Sequence, residues 1–357
     1  MRAARWHGRN DLRVENVPDP TPGPGDVVIR VAYCGVCGTD LEEYREGPIW
    51  IPTVEPNPLT GRRAPIVMGH EFAGHVVAVG REVSRFRLGD AVAPDVVISC
   101  GRCYWCVRHQ VHLCEHMAAL GLHGDGGLAE FCAVPESMCE PVPDRVTMAA
   151  AALAEPLAVA VRAVRRSRLT VGDNVAIVGV GAVGLLALQA VRAAGAGFVA
   201  VVERSPARKA IAADLGADAV LDPGTGDCAL HLRDLTGGVG PDVVLECAGG
   251  PGTWVYAASL VRRGGRVVVI GLNSSPAPVN VTATIVAPEI EVIGSLAHVY
   301  DEDYRGAMRL LGAGRVDAER IVSHRVPLAD VVAGGFDRLE HHKAETLKIL
   351  VTVGGAQ

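Results

Sequence analysis

The chain has 357 residues, of which 49% are hydrophobic, and its 40 acidic and 34 basic residues give a net charge of −6. This length is sufficient for two domains with cores of their own, and the acidic balance argues against a nucleic-acid partner, which usually binds a basic surface. The first ten residues, MRAARWHGRN, lack the apolar core of a signal peptide, so we expect a cytoplasmic protein.

The first 150 residues are predicted to be rich in β-strands. Short apolar runs at Val27–Ala32, Gly74–Val79 and Asp90–Ala93 are bounded by glycine, proline and aspartate, which is typical of strands separated by turns. The proline-rich segment 18–25 can form neither a helix nor a central strand, because proline lacks an N–H donor. We therefore predict a surface turn there.

Four cysteines follow closely in the chain: Cys100, Cys103, Cys106 and Cys114. Four thiolates at this spacing suit a tetrahedral zinc without an open position, which stabilises a fold but performs no chemistry. Two disulfides are an alternative, although such clusters in a reducing cytosol more often bind metal. An iron–sulfur cluster is a closer competitor, but its CxxCxxC run normally continues as CxxxCP, which is absent here. We favour a structural zinc in a lobe at about 98–116.

From about residue 150 onwards, strand-like runs alternate with helical patterns, which predicts a parallel sheet covered by helices on both faces. The predicted strands are Val175–Val178, Phe198–Val202, Ala219–Leu221, Val243–Glu246, Arg266–Ile270 and Glu291–Ile293, and the first predicted helix is Val183–Ala194. The longest uncharged stretch, 174–191, contains the glycines of a turn and is interpreted as strand–turn–helix, not as a membrane span. The tail ends in a predicted strand, Thr346–Val353, which we expect to rejoin the first domain.

A GxGxxG pattern, Gly179, Gly181 and Gly184, directly follows the first of these strands and opens a helix. Gly179 permits a tight turn, Gly181 lets the backbone approach a pyrophosphate, and Gly184 allows close helix packing. An acid, Glu203, ends the next strand, where it can accept hydrogen bonds from ribose hydroxyls and repel a 2′-phosphate. This predicts NAD over NADP, although nearby arginines could accommodate that phosphate. A glycine-rich turn without a nucleotide is the alternative.

Four further residues are ordinary singly but form a second candidate metal set: Cys37, His70, Glu71 and Glu155. Together they offer one sulfur, one nitrogen and one or two oxygen ligands. Such a set suits a catalytic zinc that keeps an open coordination position.

The motifs together resemble the zinc-containing medium-chain dehydrogenase/reductase family, the alcohol dehydrogenase superfamily, over essentially the whole chain. The resemblance rests on GVCGTD (35–40), GHEFAGHVVAVG (69–80), the four-cysteine lobe, GGLAEF (126–131), EPLAVAVRAV (155–164) and GVGAVG (179–184). It implies an α/β protein with a GroES-like, β-rich catalytic domain (1–156) and a Rossmann NAD-binding domain (157–295). A C-terminal segment (296–357) would return to the catalytic domain, and the active site would lie between the two domains.

Within this family the chain is most similar to the polyol branch of sorbitol, threonine and (R,R)-2,3-butanediol dehydrogenases. Segment 47–61 resembles the extended loop of the butanediol enzymes, and Glu155 stands where classical alcohol dehydrogenases have a cysteine. The resemblance implies hydride transfer between NAD and a secondary alcohol or ketone, with a small diol or polyol such as 2,3-butanediol as substrate. The alternatives are an amino-polyol, sugar or threonine dehydrogenase and, from another class, a non-catalytic zinc- or nucleotide-binding relative.

The resemblance also implies roles for the metal-site residues and an assembly. Cys37, His70 and Glu155 would bind the catalytic zinc, Glu71 would be a nearby or alternating ligand, and Asp40 would orient His70. With the four-cysteine site, this makes two zinc ions per subunit. The subunits would form a homodimer or homotetramer.

The proton path departs from the family pattern. Thr39 resembles the hydroxyl that takes the substrate's proton, but the family often has a histidine three residues later, where this chain has Glu42. Either Glu42 passes the proton, at a lower unperturbed pKa than histidine, or Glu42 and Glu43 contact polar substrate groups.

The remaining candidates concern the cofactor and the substrate pocket. The expected cofactor-binding residues are Gly179, Gly181, Val183, Gly184, Glu203 and Arg208. The candidate pocket residues, each equally explicable as packing or surface, are Tyr44, Trp50, His298 and Tyr300.

Overall fold

The computed structural model describes residues 1–273, 275–343 and 345–354. Its strands follow the two patterns of the sequence, which is rich in strands before about residue 150 and alternates strands with helices after it. In chain order they are β1 (Arg2–Gly8), β2 (Asp11–Asn16), β3 (Asp26–Val36), β4 (Ile66–Val67), β5 (Glu71–Val79), β6 (Ala91–Pro94), β7 (Val97–Ile98), β8 (Ala118–Ala119), β9 (Phe131–Pro135), β10 (Cys139–Pro141), β11 (Asn174–Val178), β12 (Phe198–Val202), β13 (Ala219–Leu221), β14 (Val243–Glu246), β15 (Arg266–Val269), β16 (Glu291–Gly294), β17 (Val322–Pro327) and β18 (Lys348–Thr352). The α-helices are α1 (Gly38–Glu46), α2 (Met148–Ala152), α3 (Ala154–Ser167), α4 (Ala182–Ala193), α5 (Pro206–Asp214), α6 (Cys228–Leu235), α7 (Thr253–Leu260), α8 (Arg305–Gly312) and α9 (Asp337–His341).

Every strand predicted from the sequence coincides with or overlaps a strand of the structure, and the predicted helix Val183–Ala194 is α4, displaced by one residue. The predicted turn at 18–25 lies outside any strand or helix. The main strands that pattern alone did not indicate are β1, β2, β9, β10 and β17. β9 is a short apolar run (FCAVP) that was not assigned, whereas the other four strands are of mixed polarity and form no isolated apolar run.

The chain divides into two compact units. The first comprises Met1–Glu155, His298–Ala313 and Ala318–Gln357, and the second comprises Pro156–Ala297 and Gly314–Asp317. The sequence had suggested borders after 156 and 295 and an undivided segment 296–357, in which Ala344 and 355–357 lie outside the described residues. Gly314–Asp317 belongs to the second unit because Gln189 of α4 exchanges two hydrogen bonds with the backbone of Asp317.

The first unit is built on sheets whose strands pair antiparallel except for the parallel pair β17–β18, which fits the predicted β-rich domain. Its main sheet has the order β10-β6-β5-β3-β18-β17, with β9 also paired to β3, and a smaller sheet has the order β2-β1-β4. As predicted, the C-terminal strand rejoins this unit, because β18 pairs antiparallel with β3. Trp6, Phe72 and Phe336 are among the largest fully buried side chains of the core.

The second unit contains a six-stranded parallel sheet, which confirms the predicted arrangement. The strand order is β13-β12-β11-β14-β15-β16. In this doubly wound order, β12 and β13 are added on one side of β11, and β14 to β16 are added on the other side. Ligands bind beyond the carboxyl ends of the strands at such a switch point. β11, β12 and β14 are buried along almost their whole length, as expected for a sheet covered on both faces.

Candidate metal centres and nucleotide turn

The four predicted zinc-binding cysteines lie together between β7 and β8. Their sulfurs are all within 4.8 Å of one another, with Cys103 3.5 Å and Cys100 3.9 Å from Cys106. At a Zn–S distance of about 2.3 Å, a tetrahedron holds its sulfurs about 3.8 Å apart, so the four thiols match a zinc site. All four cysteines are free, and these separations are far longer than a disulfide bond.

Hydrogen bonds from backbone N–H groups lower the pKa of two of these thiols. The N–H of Cys106 donates to Cys103 and, with further backbone donors, lowers the pKa of that thiol to about 6. The N–H groups of Arg102 and Cys103 lower the pKa of Cys100. Burial instead raises the pKa of Cys114 to about 11. A divalent metal ion is the group that would keep the buried Cys114 deprotonated beside the other sulfurs.

The second candidate metal site lies where β3 and β5 pair. Cys37 is the N-cap of α1, directly after β3, while His70 and Glu71 precede and begin β5. The ligand atoms of these three residues are all within 4.8 Å of one another. The β3–β5 register pairs Gly35 with Glu71, and a side chain at Gly35 would fall 2.0 Å from the Glu71 carboxylate. The strand pairing therefore creates the site.

The backbone conformation of Gly69 sets the direction of the chain at His70. Its φ is +93°, a left-handed conformation that favours glycine. A Cβ at this position would also lie 2.7 Å from the Cys34 sulfur and from the Leu128 side chain. The GHE motif thus needs its glycine for both conformation and space.

Asp40 lies beside His70, as predicted. Its Oδ2 accepts the backbone N–H of Cys37 at 2.9 Å, and its Oδ1 is 3.1 Å from Nδ1 of His70. Burial lowers the pKa of His70, but the negative charges of Asp40 and Cys37 outweigh it and raise that pKa well above its usual value. A cation is therefore favourable at this position, whether a proton or a metal ion.

Lys348 is part of this site, and the sequence analysis missed it. The buried ammonium lies 2.7 Å from both carboxylate oxygens of Glu71 and donates to the carbonyl oxygen of Val36. The available indication was a lysine at the start of the apolar strand β18. Glu71 can leave this ion pair only at an electrostatic cost, because both groups are buried.

Glu155 is not part of the three-residue group but borders it. It lies in the first turn of α3, and its side chain is 12% exposed. Burial raises the pKa of its carboxyl group, while the positive charges of His70 and His298 act in the opposite direction. Its charge therefore interacts with the candidate site.

The residues proposed for the proton path lie on α1. Thr39 is half-buried in the first turn, and Glu42 is exposed. Glu43 is fully buried, and its carboxylate accepts the backbone N–H groups of Ile49 and Trp50. Glu43 therefore anchors the start of loop 47–61, which argues against the interpretation that it contacts substrate.

The glycine turn of the second unit has the expected form. Gly179 has a φ of +83°, and a Cβ there would meet Ala248 at 2.7 Å. A Cβ at Gly184 would lie 2.1 Å from the carbonyl oxygen of Gly179, so the helix approaches the turn closely. At Gly181, the N-cap of α4, no described atom lies within 4 Å of the Cβ position. This leaves space at the helix N-terminus, where phosphates bind.

Glu203 follows β12 and supports this turn. Its carboxylate accepts the N–H groups of Val180 at 3.0 Å and of Arg204 and Ser205 at 2.8 and 2.9 Å. Of the other expected cofactor residues, Val183 lies in the first turn of α4 and Arg208 in that of α5. The structure thus places an acid against the glycine turn.

The four candidate pocket residues have different surroundings. Tyr44 is buried edge-on against Phe336, and the hydroxyl of Tyr300 is 2.8 Å from a Glu140 carboxylate oxygen. His298 is wholly buried and is 2.7 Å from Asp95. Only Trp50, which is 37% exposed, presents substantial surface.

A four-thiol site, a cysteine–histidine–glutamate group and a nucleotide-binding type of sheet are together the features of a zinc-dependent dehydrogenase. Comparison with known proteins agrees. Residues 23–144 match the family described as alcohol dehydrogenase GroES-like domain, and residues 182–313 match the family described as zinc-binding dehydrogenase. The chain belongs to the zinc-containing medium-chain dehydrogenase/reductase family, and it is an oxidoreductase.

Characterised relatives cover almost the whole chain. It is 38% identical to (R,R)-butanediol dehydrogenase of Bacillus subtilis (strain 168), over 98% of this chain and 99% of that protein. It is 33% identical to sorbitol dehydrogenase of the same organism, over 98% and 97%. It is 35% identical to L-threonine 3-dehydrogenase of Pyrococcus furiosus (strain ATCC 43587 / DSM 3638 / JCM 8422 / Vc1), over 90% and 88%.

Solved structures show the same fold. The 2R,3R-butanediol dehydrogenase from Bacillus subtilis superposes with a TM-score of 0.91 at 36% identity, covering 98% of this chain and 99% of that chain. A protein from Sinorhizobium meliloti 1021, solved bound to NADP, superposes with a TM-score of 0.89 at 32% identity, covering 98% of both chains. None of the helices in the described part of the chain has both the length and the hydropathy that crossing a membrane requires.

Proposed function

We propose that this oxidoreductase uses zinc and NAD to interconvert a secondary alcohol and its ketone, with a small diol or polyol such as 2,3-butanediol as substrate. The observation that carries this proposal is the group of Cys37, His70 and Glu71, whose ligand atoms lie within 4.8 Å of one another. Glu155, whose carboxylate interacts with the charge of His70, adds an oxygen ligand to a set of the catalytic type.

In this proposal Cys37, His70 and Glu155 hold the zinc. A zinc ion held by these three ligands would supply a Lewis acid that lowers the pKa of an alcohol hydroxyl. Thr39 takes the hydroxyl proton. Asp40 keeps the His70 ring in one orientation, which zinc-binding histidines generally require.

The proton leaves along α1. Glu42 lies three residues after Thr39, so the two side chains share one face of the helix. Because Glu42 is exposed, it can exchange the proton with solvent. Glu71 would be an alternating zinc ligand in this proposal, and both of its carboxylate oxygens accept from Lys348.

NAD is the proposed hydride acceptor, and it supplies the nicotinamide C4 atom. Gly179, Gly181, Val183 and Gly184 would receive the pyrophosphate at the N-terminus of α4. Glu203 would accept the ribose hydroxyls, and its charge disfavours a 2′-phosphate. Arg204, which follows Glu203 directly, and Arg208, in the first turn of α5, are the nearby arginines that would favour NADP.

The substrate proposal rests on the relatives. Two proteins named (R,R)-butanediol dehydrogenase are 38% and 37% identical over 98% of this chain. Proteins named sorbitol and L-threonine dehydrogenases are 33% and 35% identical. A vicinal diol is the more specific proposal, and sorbitol and L-threonine are the alternatives to test beside it.

A substrate panel tests the proposal. Absorbance at 340 nm is followed with NAD⁺ or NADP⁺ and each of the three 2,3-butanediol stereoisomers, sorbitol and L-threonine, before and after treatment with a zinc chelator. We expect the highest kcat/KM with NAD⁺ and a butanediol isomer, and loss of activity on chelation. A higher kcat/KM for sorbitol or L-threonine would make that compound the substrate in place of 2,3-butanediol. Activity that survives complete zinc removal would overturn the mechanism.

We also propose a homodimer or homotetramer that acts in the cytoplasm. The support is the similarity to the named dehydrogenases of Bacillus subtilis and Pyrococcus furiosus. Light scattering after size-exclusion chromatography measures the mass, and a mass of one chain would contradict the assembly.

A further inference from the structure

His298 is a buried histidine between two carboxylates, and the proposed reaction does not yet use it. Its Nε2 lies 2.7 Å from Oδ1 of Asp95, and its Nδ1 lies 3.6 Å from Oε1 of Glu155. The ring has no exposed surface, and Nδ1 has no hydrogen-bond partner among the described residues. An unsatisfied buried ring nitrogen costs free energy, so its direction toward Glu155 calls for an explanation.

The surroundings of His298 hold the ring in one place. Asp95 is buried, and its Oδ1 also accepts the N–H of Val97, so the carboxylate is itself fixed. The next residue after His298, Val299, donates its N–H to the buried Asp303. The ring of Tyr304 packs against the imidazole with 5.6 Å between centroids. A group held on this many sides can define the position of a neighbour.

Glu155 is the neighbour that needs positioning. It lies at the point where the chain leaves the first unit, and His298 lies where the chain returns to it. A carboxylate can bind zinc through one oxygen or two, and its outer-shell partner decides which oxygen remains free. Nδ1 of His298 faces Oε1, which leaves Oε2 of Glu155 for other partners.

We propose that Asp95 and His298 form a positioning pair that directs the Glu155 carboxylate toward the catalytic zinc. Asp95 fixes the ring through Nε2, and Nδ1 faces one oxygen of Glu155 at 3.6 Å. The proposal rests on the proposed function, because it takes Glu155 as a zinc ligand. Zinc-binding histidines commonly have such outer-shell partners, and here the arrangement serves a carboxylate ligand instead.

Two substitutions of His298 test the roles of its two ring nitrogens separately. His298→Gln places an amide nitrogen near the position of Nε2, so the hydrogen bond to Asp95 is kept and the group facing Glu155 is lost. His298→Asn places an amide nitrogen near the position of Nδ1, so the group facing Glu155 is kept and the hydrogen bond to Asp95 is lost. Tyr300→Phe is the matched control, because it removes a hydrogen bond from the same segment but faces Glu140.

The primary measurement is Zn²⁺ affinity in the full-length protein, by competition with a chromophoric chelator, with zinc per chain counted by mass spectrometry. The four-cysteine zinc is an internal standard for folding. We expect His298→Gln to weaken the catalytic zinc by about 10- to 100-fold while the four-cysteine zinc is retained. His298→Asn should weaken it less, and Tyr300→Phe should leave both affinities unchanged.

Co²⁺ placed in the catalytic site, with zinc kept in the four-cysteine site, gives a second readout. Its visible bands report the ligand geometry, so His298→Gln should shift them in the same direction as Glu155→Gln. Wild-type zinc affinity and wild-type bands in His298→Gln would overturn the positioning pair. If Glu155→Gln also binds zinc like the wild type, Glu155 is not a ligand, and the proposed metal site fails instead. Equal losses in both His298 variants and in Tyr300→Phe would indicate a purely structural role and overturn the inference.

Discussion

At the scale of single residues, Lys348 brings a buried positive charge to the candidate catalytic site. Its ammonium is buried with the Glu71 carboxylate, at 2.7 Å from both oxygens. A buried pair of this kind contributes little compared with an apolar pair, but removal of one partner leaves an uncompensated buried charge. The ion pair therefore makes each of its members sensitive to substitution.

We predict that Lys348→Met lowers the free energy of unfolding by about 3–5 kcal/mol, because Glu71 is left buried without its partner. Urea unfolding followed by circular dichroism measures the change. The double variant Lys348→Met/Glu71→Gln is the control and should recover part of the loss, since neither charge remains. A single variant as stable as the wild type would contradict the role of the ion pair.

Cys37 is predicted to be indispensable for turnover and dispensable for folding. In Cys37→Ser we expect one zinc per chain in place of two and a decrease in kcat of roughly a thousandfold, since Lewis-acid stabilisation is lost. NAD⁺ binding, measured by calorimetry, should persist. Cys132→Ala is the matched control, because Cys132 is a buried core cysteine outside both metal groups. Full activity in Cys37→Ser would refute the catalytic-zinc assignment.

At the scale of elements, the only buried residues of the segment between β7 and β8 are Cys106 and Cys114, so we expect its conformation to depend on the four thiols. Cys103→Ser should release the zinc of this lobe and lower the melting temperature by at least about 5 °C, because metal binding stabilises the folded segment. The control is Arg102→Ser, at an exposed neighbouring position. If Cys103→Ser melts like the wild type, the lobe does not depend on its metal.

The β11–turn–α4 element should decide between the two nicotinamide cofactors through Glu203. Glu203→Ala is expected to raise the KM for NAD⁺ roughly tenfold or more and the KM for NADP⁺ less, because only NAD⁺ has the free ribose hydroxyl that the carboxylate accepts.

Glu203 also accepts the N–H of Val180, so its replacement affects the turn itself. Glu203→Gln is therefore the control, because it keeps an acceptor and removes the charge. It should relax the discrimination between the cofactors with little change in melting temperature. A larger loss for NADP⁺ than for NAD⁺ in Glu203→Ala would reverse the cofactor assignment.

At the scale of the whole molecule, the described residues form two candidate zinc sites with different ligand sets. A catalytic zinc has an open coordination position that a chelator can occupy, whereas a zinc with four thiolates has none. Graded chelation should first remove one zinc and all activity with little change in melting temperature, and then a second zinc with loss of stability. Added Zn²⁺ should restore activity after the first stage only. Activity that remains when both zinc ions are gone would contradict this order.

Much of the fold was predictable because its determinants are local. The alternation of apolar runs and helical patterns identified the six strands of the parallel sheet, since buried parallel strands are continuous apolar runs. The strands β1, β2 and β17 of the first unit were missed, because strands of mixed polarity resemble loops. The limits 156 and 295 of the predicted domains, and the ligand roles assigned from the family resemblance, remain predictions.

The sequence by itself determined the features whose cause lies within a few residues: the four-cysteine spacing, the glycine turn, and the Cys37–Asp40 and Gly69–Glu71 motifs. Only the tertiary structure decided that Lys348 pairs with Glu71, 277 residues away, and that His298 pairs with Asp95, 203 residues away. The first pair depends on β18 and β5 both lying beside β3, and the second depends on the return of the chain to the first unit at His298. Such pairings are set by burial across the whole first unit, so no local pattern in the chain can reveal them.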